Sequence, residues 1–157
     1  MNTRRRCTIA VAYRSHGVGI AVIRGTYLVE VRRHRLEPGN DVHFAIRKLV
    51  RKALADYGTN RIVVERDGEA DLATANMRGL AIRTLSLSEA KRTLLPRRDR
   101  ITHVELAKHL LREHPKLRRL VTVLRLSGEI AINEARRLVP LHAVALGLAA
   151  DSDQPRK

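Results

Sequence analysis

Residues 8–36 read TIAVAYRSHGVGIAVIRGTYLVEVRRHRL and contain three apolar runs rich in β-branched residues. Each run has the length and composition of a β-strand; in order they are Thr8–Tyr13, Gly19–Ile23 and Tyr27–Leu36. Short turns separate them, at Arg14–Gly17 and at Gly25–Thr26. Strands joined by such tight turns predict an antiparallel meander.

The rest of the chain alternates helical and strand patterns. Asn40 is expected to cap a helix that runs to about Tyr57 and is closed by Gly58. A strand at 61–65, a helix at 71–77 and a strand at 80–85 follow. Next come a short helix that Ser88 caps and that ends at Leu95, and a helix at 102–114. The segment 116–125 suits helix or strand, and a last helix spans 130–150, where Pro140 can bend it. Because a strand–helix–strand passage implies parallel pairing, the sequence predicts a mixed five-stranded sheet, with a three-stranded antiparallel meander and two parallel strands, flanked by helices. This order of elements is typical of the RNase H-like α/β fold.

Length and composition favour one soluble domain. The 157 residues, 44% of them hydrophobic, suffice for one core, which we assign to residues 1–150, with 151–157 as a disordered tail. No apolar run is long enough to span a bilayer, and the basic start does not read as a signal peptide. Cys7 is the only cysteine, so we expect no disulfide, no cysteine-based zinc site and a cytoplasmic location.

The charge balance points to a polyanionic partner. Thirty-one Lys and Arg against sixteen Asp and Glu give a formal charge of +15, whereas a soluble surface needs a magnitude of only about 2–8. Basic clusters lie at Arg4–Arg6, Arg97–Arg100 and Lys116–Arg119. Only four residues are Phe or Tyr, which argues against single-strand binding by base stacking. We therefore expect duplex or branched DNA, in preference to structured RNA, as the ligand.

Several segments resemble the RuvC-like family of Holliday-junction resolvases, which belongs to the RNase H-like superfamily. They are Val11–Ile23, with Gly19 at the family's spacing, Val63-Val64-Glu65, Met77-Arg78-Gly79-Leu80-Ala81-Ile82, Ser88–Thr93 and Ala145–Ala149. Their order along the chain is also that of the family, and together they cover nearly the whole sequence. The resemblance implies an RNase H-like fold and a nucleic-acid substrate.

The same resemblance implies four catalytic acids, most of which this chain lacks. Ala12 stands at the first position, and Glu65 keeps the second. The two positions on the last helix correspond to Leu141 and Val144, or to His142 and Ala145 if the register shifts by one. One carboxylate does not hold a pair of Mg²⁺ ions. We therefore expect a non-catalytic protein without a cofactor, in which Glu65 is a relict and Glu65 and His142 are weak metal candidates.

The acidic loop after Glu65 leaves two interpretations open. Asp67, Glu69 and Asp71 either form a relocated metal site or simply mark a turn and a helix N-terminus, which the helix dipole favours. Arg66 is the residue expected to neutralise Glu65.

The predicted nucleic-acid contacts centre on the former catalytic pocket, with Tyr13 and Arg14 facing the phosphodiester backbone and Lys91 at the place of a DNA-contacting lysine of the family. The full set is Tyr13, Arg14, Arg66, Lys91, Arg92, Arg97, Arg98 and Arg100.

Three functional hypotheses follow from the sequence. The first is a DNA-binding pseudo-nuclease that acts with recombination, repair or mobile-element proteins. It could form a homodimer through the apolar face of the 40–57 or the 102–114 helix. The second is a Mg²⁺-dependent endonuclease with a rearranged site, and the third is a basic structural subunit of a larger nucleoprotein complex.

Overall fold

The computed structural model describes residues 6–37, 39, 41–96, 100–118 and 135–152. Its centre is a mixed five-stranded sheet with the strand order β3-β2-β1-β4-β5, as the sequence predicts. The strands are β1 (Thr8–Arg14), β2 (Gly17–Arg24), β3 (Tyr27–Arg35), β4 (Arg61–Glu65) and β5 (Ala81–Leu85). The first three form the antiparallel meander, and β4 pairs in parallel with both β1 and β5.

The turn between β1 and β2 is tighter than the sequence pattern indicates. Arg14 pairs with Gly17, so only Ser15 and His16 form the loop. Both have positive φ, 46° and 63°, as a two-residue hairpin turn requires because its twist must match that of the strands. This turn extends β1 to Arg14 and thereby places Arg14 on a strand instead of in a loop.

In the described part of the chain, five α-helices and one 3₁₀ turn cover the sheet. They are α1 (Val42–Tyr57), α2 (Glu69–Thr74), α3 (Leu87–Leu94), α4 (His103–Glu113), the 3₁₀ turn Pro115–Leu117 and α5 (Ala135–Ser152), which contains Pro140. The 3₁₀ turn opens the segment predicted at 116–125; from residue 119 onward that segment lies outside the described residues, as do residues 130–134 of the predicted last helix. Asp151 and Ser152 of the predicted tail belong to α5, and residues 153–157 lie outside the described residues.

Two predicted helix caps were wrong. The oxygen that caps α1 belongs to Asp41, which accepts from the Phe44 N–H at 3.1 Å, whereas Asn40 lies outside the described residues. The cap of α3 is Ser86, which accepts from the Glu89 N–H, and Ser88 lies inside the helix. In both cases neighbouring residues of equal capping propensity compete, and the backbone geometry selects one.

The helices form one layer on each face of the sheet. Ile9, Val11 and Ile62 pack with α1 and α2, while Ala10, Ala12 and Val63 point to the opposite face and pack with α3, α4 and α5. The small residues on the second face let α5 approach the sheet closely: a Cβ at Gly19 would lie 2.6 Å from the Val139 carbonyl oxygen.

The two helix faces suggested for a dimer are occupied within the chain. In α1 the buried residues are Ile46, Val50, Ala53 and Leu54. In α4 Leu106 and Leu110 are buried against the α5 layer. Both faces therefore contribute to the core of this chain, and the homodimer stays a prediction. Within the described part of the chain, no helix is long and apolar enough to cross a membrane.

Candidate nucleic-acid interface

The parallel pairing of β1 and β4 brings Arg14 and Glu65 together. Val11 is opposite Val64 in the sheet, so both strands end at the same edge. Arg14 shares a face with Ala12, and Glu65 shares the same face with Val63, because side chains alternate along a strand. The Arg14 Nη2 donates to the Glu65 Oε1 at 2.7 Å. The carboxylate side chain is 17% exposed and the arginine side chain 37%.

Three further side chains from the helices above this face join the pair. Lys91 comes from α3, His103 from the first position of α4 and His142 from α5. The rings of His103 and His142 are 5.1 Å apart between centroids. His103 is exposed on one side, whereas His142 is only 4% exposed and neither ring nitrogen has a hydrogen-bond partner in the described structure. We call Arg14, Glu65, Lys91, His103 and His142 the Arg14 cluster.

Electrostatics couple the members of the Arg14 cluster. Burial, and then the nearby charge of Arg14, lowers the pKa of Lys91. Partial desolvation lowers the pKa of His103, and the charges of Lys91 and Arg14 add to this. The pKa of His142 falls to about 3, mainly because the ring is buried. The charge that His103 carries at such low pH, and the charges of Arg14 and Lys91, lower it further. Both imidazoles are therefore neutral at pH 7, and two cations face one carboxylate.

A net positive charge makes the Arg14 cluster suited to an anion and unsuited to a metal ion. Nowhere in the described residues do three His, Cys, Asp or Glu side chains converge in a way that could hold a metal. Glu65 is already engaged by Arg14. The donor set therefore does not fit the divalent metals on which RNase H-like nucleases depend.

The positions matched to the remaining family acids are apolar and buried. Ala12 is fully buried on β1, beside the Glu65 end of β4. On α5 the corresponding residues Leu141, Val144 and Ala145 are at most 1% exposed and belong to the core. Among the residues of α5 whose side chains the structure describes, His142 is the one that joins the Arg14 cluster.

The structure separates the predicted contact residues. Tyr13 packs against the α1 layer, on the face opposite Arg14, and its hydroxyl accepts from the His16 N–H. Arg66 does not neutralise Glu65: its Nη1 lies 2.7 Å from the Glu89 Oε1 of α3. Lys91 joins the Arg14 cluster, and Arg92 is exposed on the same helix.

The basic loop after α3 is described only in part. Arg100 is exposed, whereas Arg97 and Arg98 lie outside the described residues.

The acidic loop has the geometry of a turn and a helix start. The Asp71 carboxylate accepts from the Asp67 N–H at 2.9 Å, and Asp67 has a positive φ of 60°. Glu69 reaches across to α1, where its Oε2 lies 2.6 Å from the His43 Nε2. These carboxylates therefore point to separate partners. This supports the interpretation of the loop as a turn and a helix N-terminus instead of a relocated metal site.

Sequence reasoning missed two features of this site. His103 carried no motif; its only signal was its place directly after Thr102, whose hydroxyl accepts from the Glu105 N–H in a capping box. The Arg14–Glu65 pair was missed because Arg14 was assigned to the turn. If Arg14 is counted as part of β1, the alternation of side chains along the strand predicts the pair.

Comparisons with known proteins support the fold. No protein-family model matches the chain, and no curated protein matches it by sequence. The similar solved structures include a Thermus thermophilus RuvC structure and T. thermophilus RuvC in complex with a Holliday-junction substrate. The first has a TM-score of 0.59 and 11% identity over 91% of this chain and 92% of that chain. The complex has a TM-score of 0.58 and 11% identity over 92% and 91%.

Proposed function

We propose that this protein binds duplex or branched DNA through the sheet edge that carries the Arg14 cluster, and that it does not cleave the DNA. The observation that supports this most directly is the Arg14–Glu65 ion pair: the carboxylate that a nuclease would give to a metal ion is bound to an internal cation at 2.7 Å. The chain's formal charge of +15 supplies the long-range attraction to a polyanion.

Arg14 is well placed to contact a phosphate. One nitrogen, Nη2, is used by Glu65, and a guanidinium carries five N–H donors. The side chain is 37% exposed, so its outer edge is accessible. Glu65 fixes the orientation of the guanidinium, which lowers the entropy lost when a phosphate binds.

Lys91 supplies a second cation at the same edge. Its side chain is half-buried, and no acidic side chain of the described residues pairs with it. Burial lowers the pKa of Lys91 most, and repulsion from Arg14 lowers it further. A phosphate oxygen between Lys91 and Arg14 would relieve that repulsion. Arg92 of α3 and Arg100 in the loop before α4 are both exposed. We propose that they add to this basic surface.

The absence of cleavage follows from the number of carboxylates. Two-metal hydrolysis of a phosphodiester needs several acids around two cations about 3.5–4 Å apart. Among the residues described here, the Arg14 cluster contains Glu65 alone, and its field is positive. The protein would therefore hold a phosphodiester without activating water against it.

Branched or duplex DNA suits this surface better than single strands. The Arg14 cluster contains no Phe or Tyr that could stack on a base, so recognition rests on backbone phosphates and their spacing. The T. thermophilus RuvC complex contains a Holliday junction. By analogy we propose a four-way junction as the preferred ligand.

The test is binding of a labelled four-way junction, a linear duplex and a single strand across a salt series, with and without Mg²⁺ or Mn²⁺. We expect the junction to bind most tightly and to remain uncut in excess protein. Arg14→Ala should weaken binding by about tenfold and reduce the slope of log affinity against log salt by about 1. Lys48→Ala, on the exposed side of α1, removes the same charge outside the site and should leave the slope unchanged.

Other outcomes would identify the alternatives. Metal-dependent cleavage that Glu65→Ala abolishes would establish a nuclease with a rearranged site. Binding to none of the three DNAs, together with a complex that survives high salt, would establish a structural subunit.

A further inference from the structure

An open groove of about 870 Å³ lies at the other end of the sheet, where β4 and β5 begin. The five residues of β4 separate it from the Arg14 cluster by roughly 15 Å. It is also on the other face, since its floor residues Leu54, Met77 and Leu80 belong to the α1 layer. The groove is therefore a separate feature of the molecule.

The walls of the groove are fixed by hydrogen bonds. The Thr59 hydroxyl donates to the Cys7 carbonyl at 2.7 Å, which attaches the end of α1 to the start of β1. The Asn60 side-chain amide donates to the Gly79 carbonyl at 3.3 Å, which attaches the start of β4 to the turn before β5. These bonds do not depend on a ligand, so the groove is formed in advance.

Three arginines line the groove: Arg6, Arg51 and Arg78. No acidic side chain in the described part of the chain pairs with any of them. The described lining residues include no Asp or Glu. Guanidinium groups bind phosphate in bidentate fashion and also stack on planar rings.

The apolar floor of the groove favours a ligand that has an apolar part as well as an anionic group. Leu54, Met77 and Leu80 offer apolar surface, and the amides of Asn60 and Asn76 border it. The volume lies within the range of small-molecule sites, about 300–1,000 Å³, and inorganic phosphate would leave most of it unfilled. We infer that this groove binds a nucleoside phosphate, with the phosphate on the arginines and the base over the apolar floor.

A nucleoside phosphate can arrive as a free nucleotide or as one unit of a nucleic-acid strand, and calorimetric titration separates the two. The probes are AMP, ATP, pyrophosphate and a short oligothymidylate, added to the full chain. Binding of AMP and ATP identifies a free nucleotide, and binding of the oligothymidylate alone identifies a strand. If pyrophosphate binds as tightly as AMP and ATP, the nucleoside is not recognised and the inference fails.

A matched pair of double variants tests the location. Arg51→Ala with Arg78→Ala removes two exposed arginines and should weaken nucleotide binding about tenfold or more. Lys48→Ala with Lys52→Ala removes two exposed charges from α1 outside the groove. This double variant should change the nucleotide affinity less than about twofold. Equal losses in both double variants, or no binding of any probe to the wild-type protein, would overturn the inference.

The outcome is independent of the proposed DNA-binding surface. Arg14→Ala with Lys91→Ala should weaken junction binding and leave AMP binding intact. Arg51→Ala with Arg78→Ala should weaken AMP binding and leave junction binding intact, apart from a small loss of general electrostatic attraction to the junction. Each site can therefore fail its own test without affecting the other.

Discussion

The Arg14 guanidinium and the Glu65 carboxylate join the ends of two parallel strands, with Nη2 2.7 Å from Oε1. The pair lies at the carboxyl ends of β1 and β4, the edge at which open α/β sheets commonly bind ligands. The Glu65 carboxylate in this position contacts a cation of its own chain. It serves to hold the arginine in place.

Two replacements of Glu65 distinguish the effect of its charge on junction binding from the effect of its contact with Arg14. Glu65→Gln retains an oxygen that accepts from Arg14 and removes a negative charge near the phosphate, so we expect tighter junction binding than in the wild-type protein. Glu65→Ala removes the charge and the contact, so it should bind more weakly than Glu65→Gln by up to about fivefold, the worth of about one hydrogen bond to Arg14. Fluorescence anisotropy at fixed salt measures both. Loss of binding in Glu65→Gln would show instead that the carboxylate itself is required.

The buried imidazole of His142 should make stability depend on pH. Its folded pKa, about 3, lies below the ordinary value of about 6.5, so the unfolded chain binds the extra proton. The contribution of neutral His142 to the free energy of unfolding is therefore fully present above about pH 6.5. It is lost progressively as the pH falls from there toward 3. At pH 5 the loss from this group is about 2 kcal/mol.

His142→Leu isolates this contribution. The substitution keeps a similar volume and removes two unpartnered ring nitrogens from the core. Urea denaturation at pH 7 and pH 5 should show a smaller difference for the variant than for the wild-type protein, by about 2 kcal/mol. His34 and His114 also have lowered pKa values, and their contributions cancel in this comparison. Identical pH dependence in the two proteins would refute the assignment.

Gly19 should tolerate no side chain because α5 crosses it closely. A Cβ there would lie 2.6 Å from the Val139 carbonyl oxygen and 2.7 Å from its carbon, both backbone atoms of a helix. We expect Gly19→Ala to lower the free energy of unfolding by about 1–3 kcal/mol.

Gly68→Ala provides the control for this substitution. Gly68 has an ordinary φ of −86°, and its Cβ would meet the Glu65 carbonyl oxygen at 3.3 Å. Its effect should stay below about 1 kcal/mol. Equal losses at the two glycines would mean that α5 can move away from the sheet.

The sheet was predictable because its signals are local and consistent. The three apolar runs between 8 and 36, together with the strands at 61–65 and 80–85, determine five strands and most of their order. Helix caps were less predictable, since Asp41 and Ser86 each have a neighbour that can cap as well. The choice depends on where the chain leaves the sheet, which local sequence does not encode.

The site was predictable only in part because it joins residues far apart in sequence. Glu65 and Lys91 were identified from the family resemblance, and both belong to the Arg14 cluster. The assignment of Tyr13 to the same pocket conflicts with alternation along β1, since adjacent strand residues point to opposite faces. The contact between His103 and His142 depends on how α4 packs over α5, and no spacing in the sequence indicates it.

Binding of DNA should not require a divalent metal, because Arg14 supplies the cation that Glu65 faces. Junction affinity measured at constant ionic strength should be the same in EDTA and in Mg²⁺ or Mn²⁺, apart from the competition of these ions for the phosphates. The positive field around His142 reinforces this, since a cation there would face Arg14 and Lys91. An affinity that rises and saturates at low Mn²⁺, and loses this rise in Glu65→Gln, would show that a metal displaces Arg14 from the carboxylate. If the rise persists in Glu65→Gln, the metal acts elsewhere on the complex, and Arg14 remains the partner of Glu65.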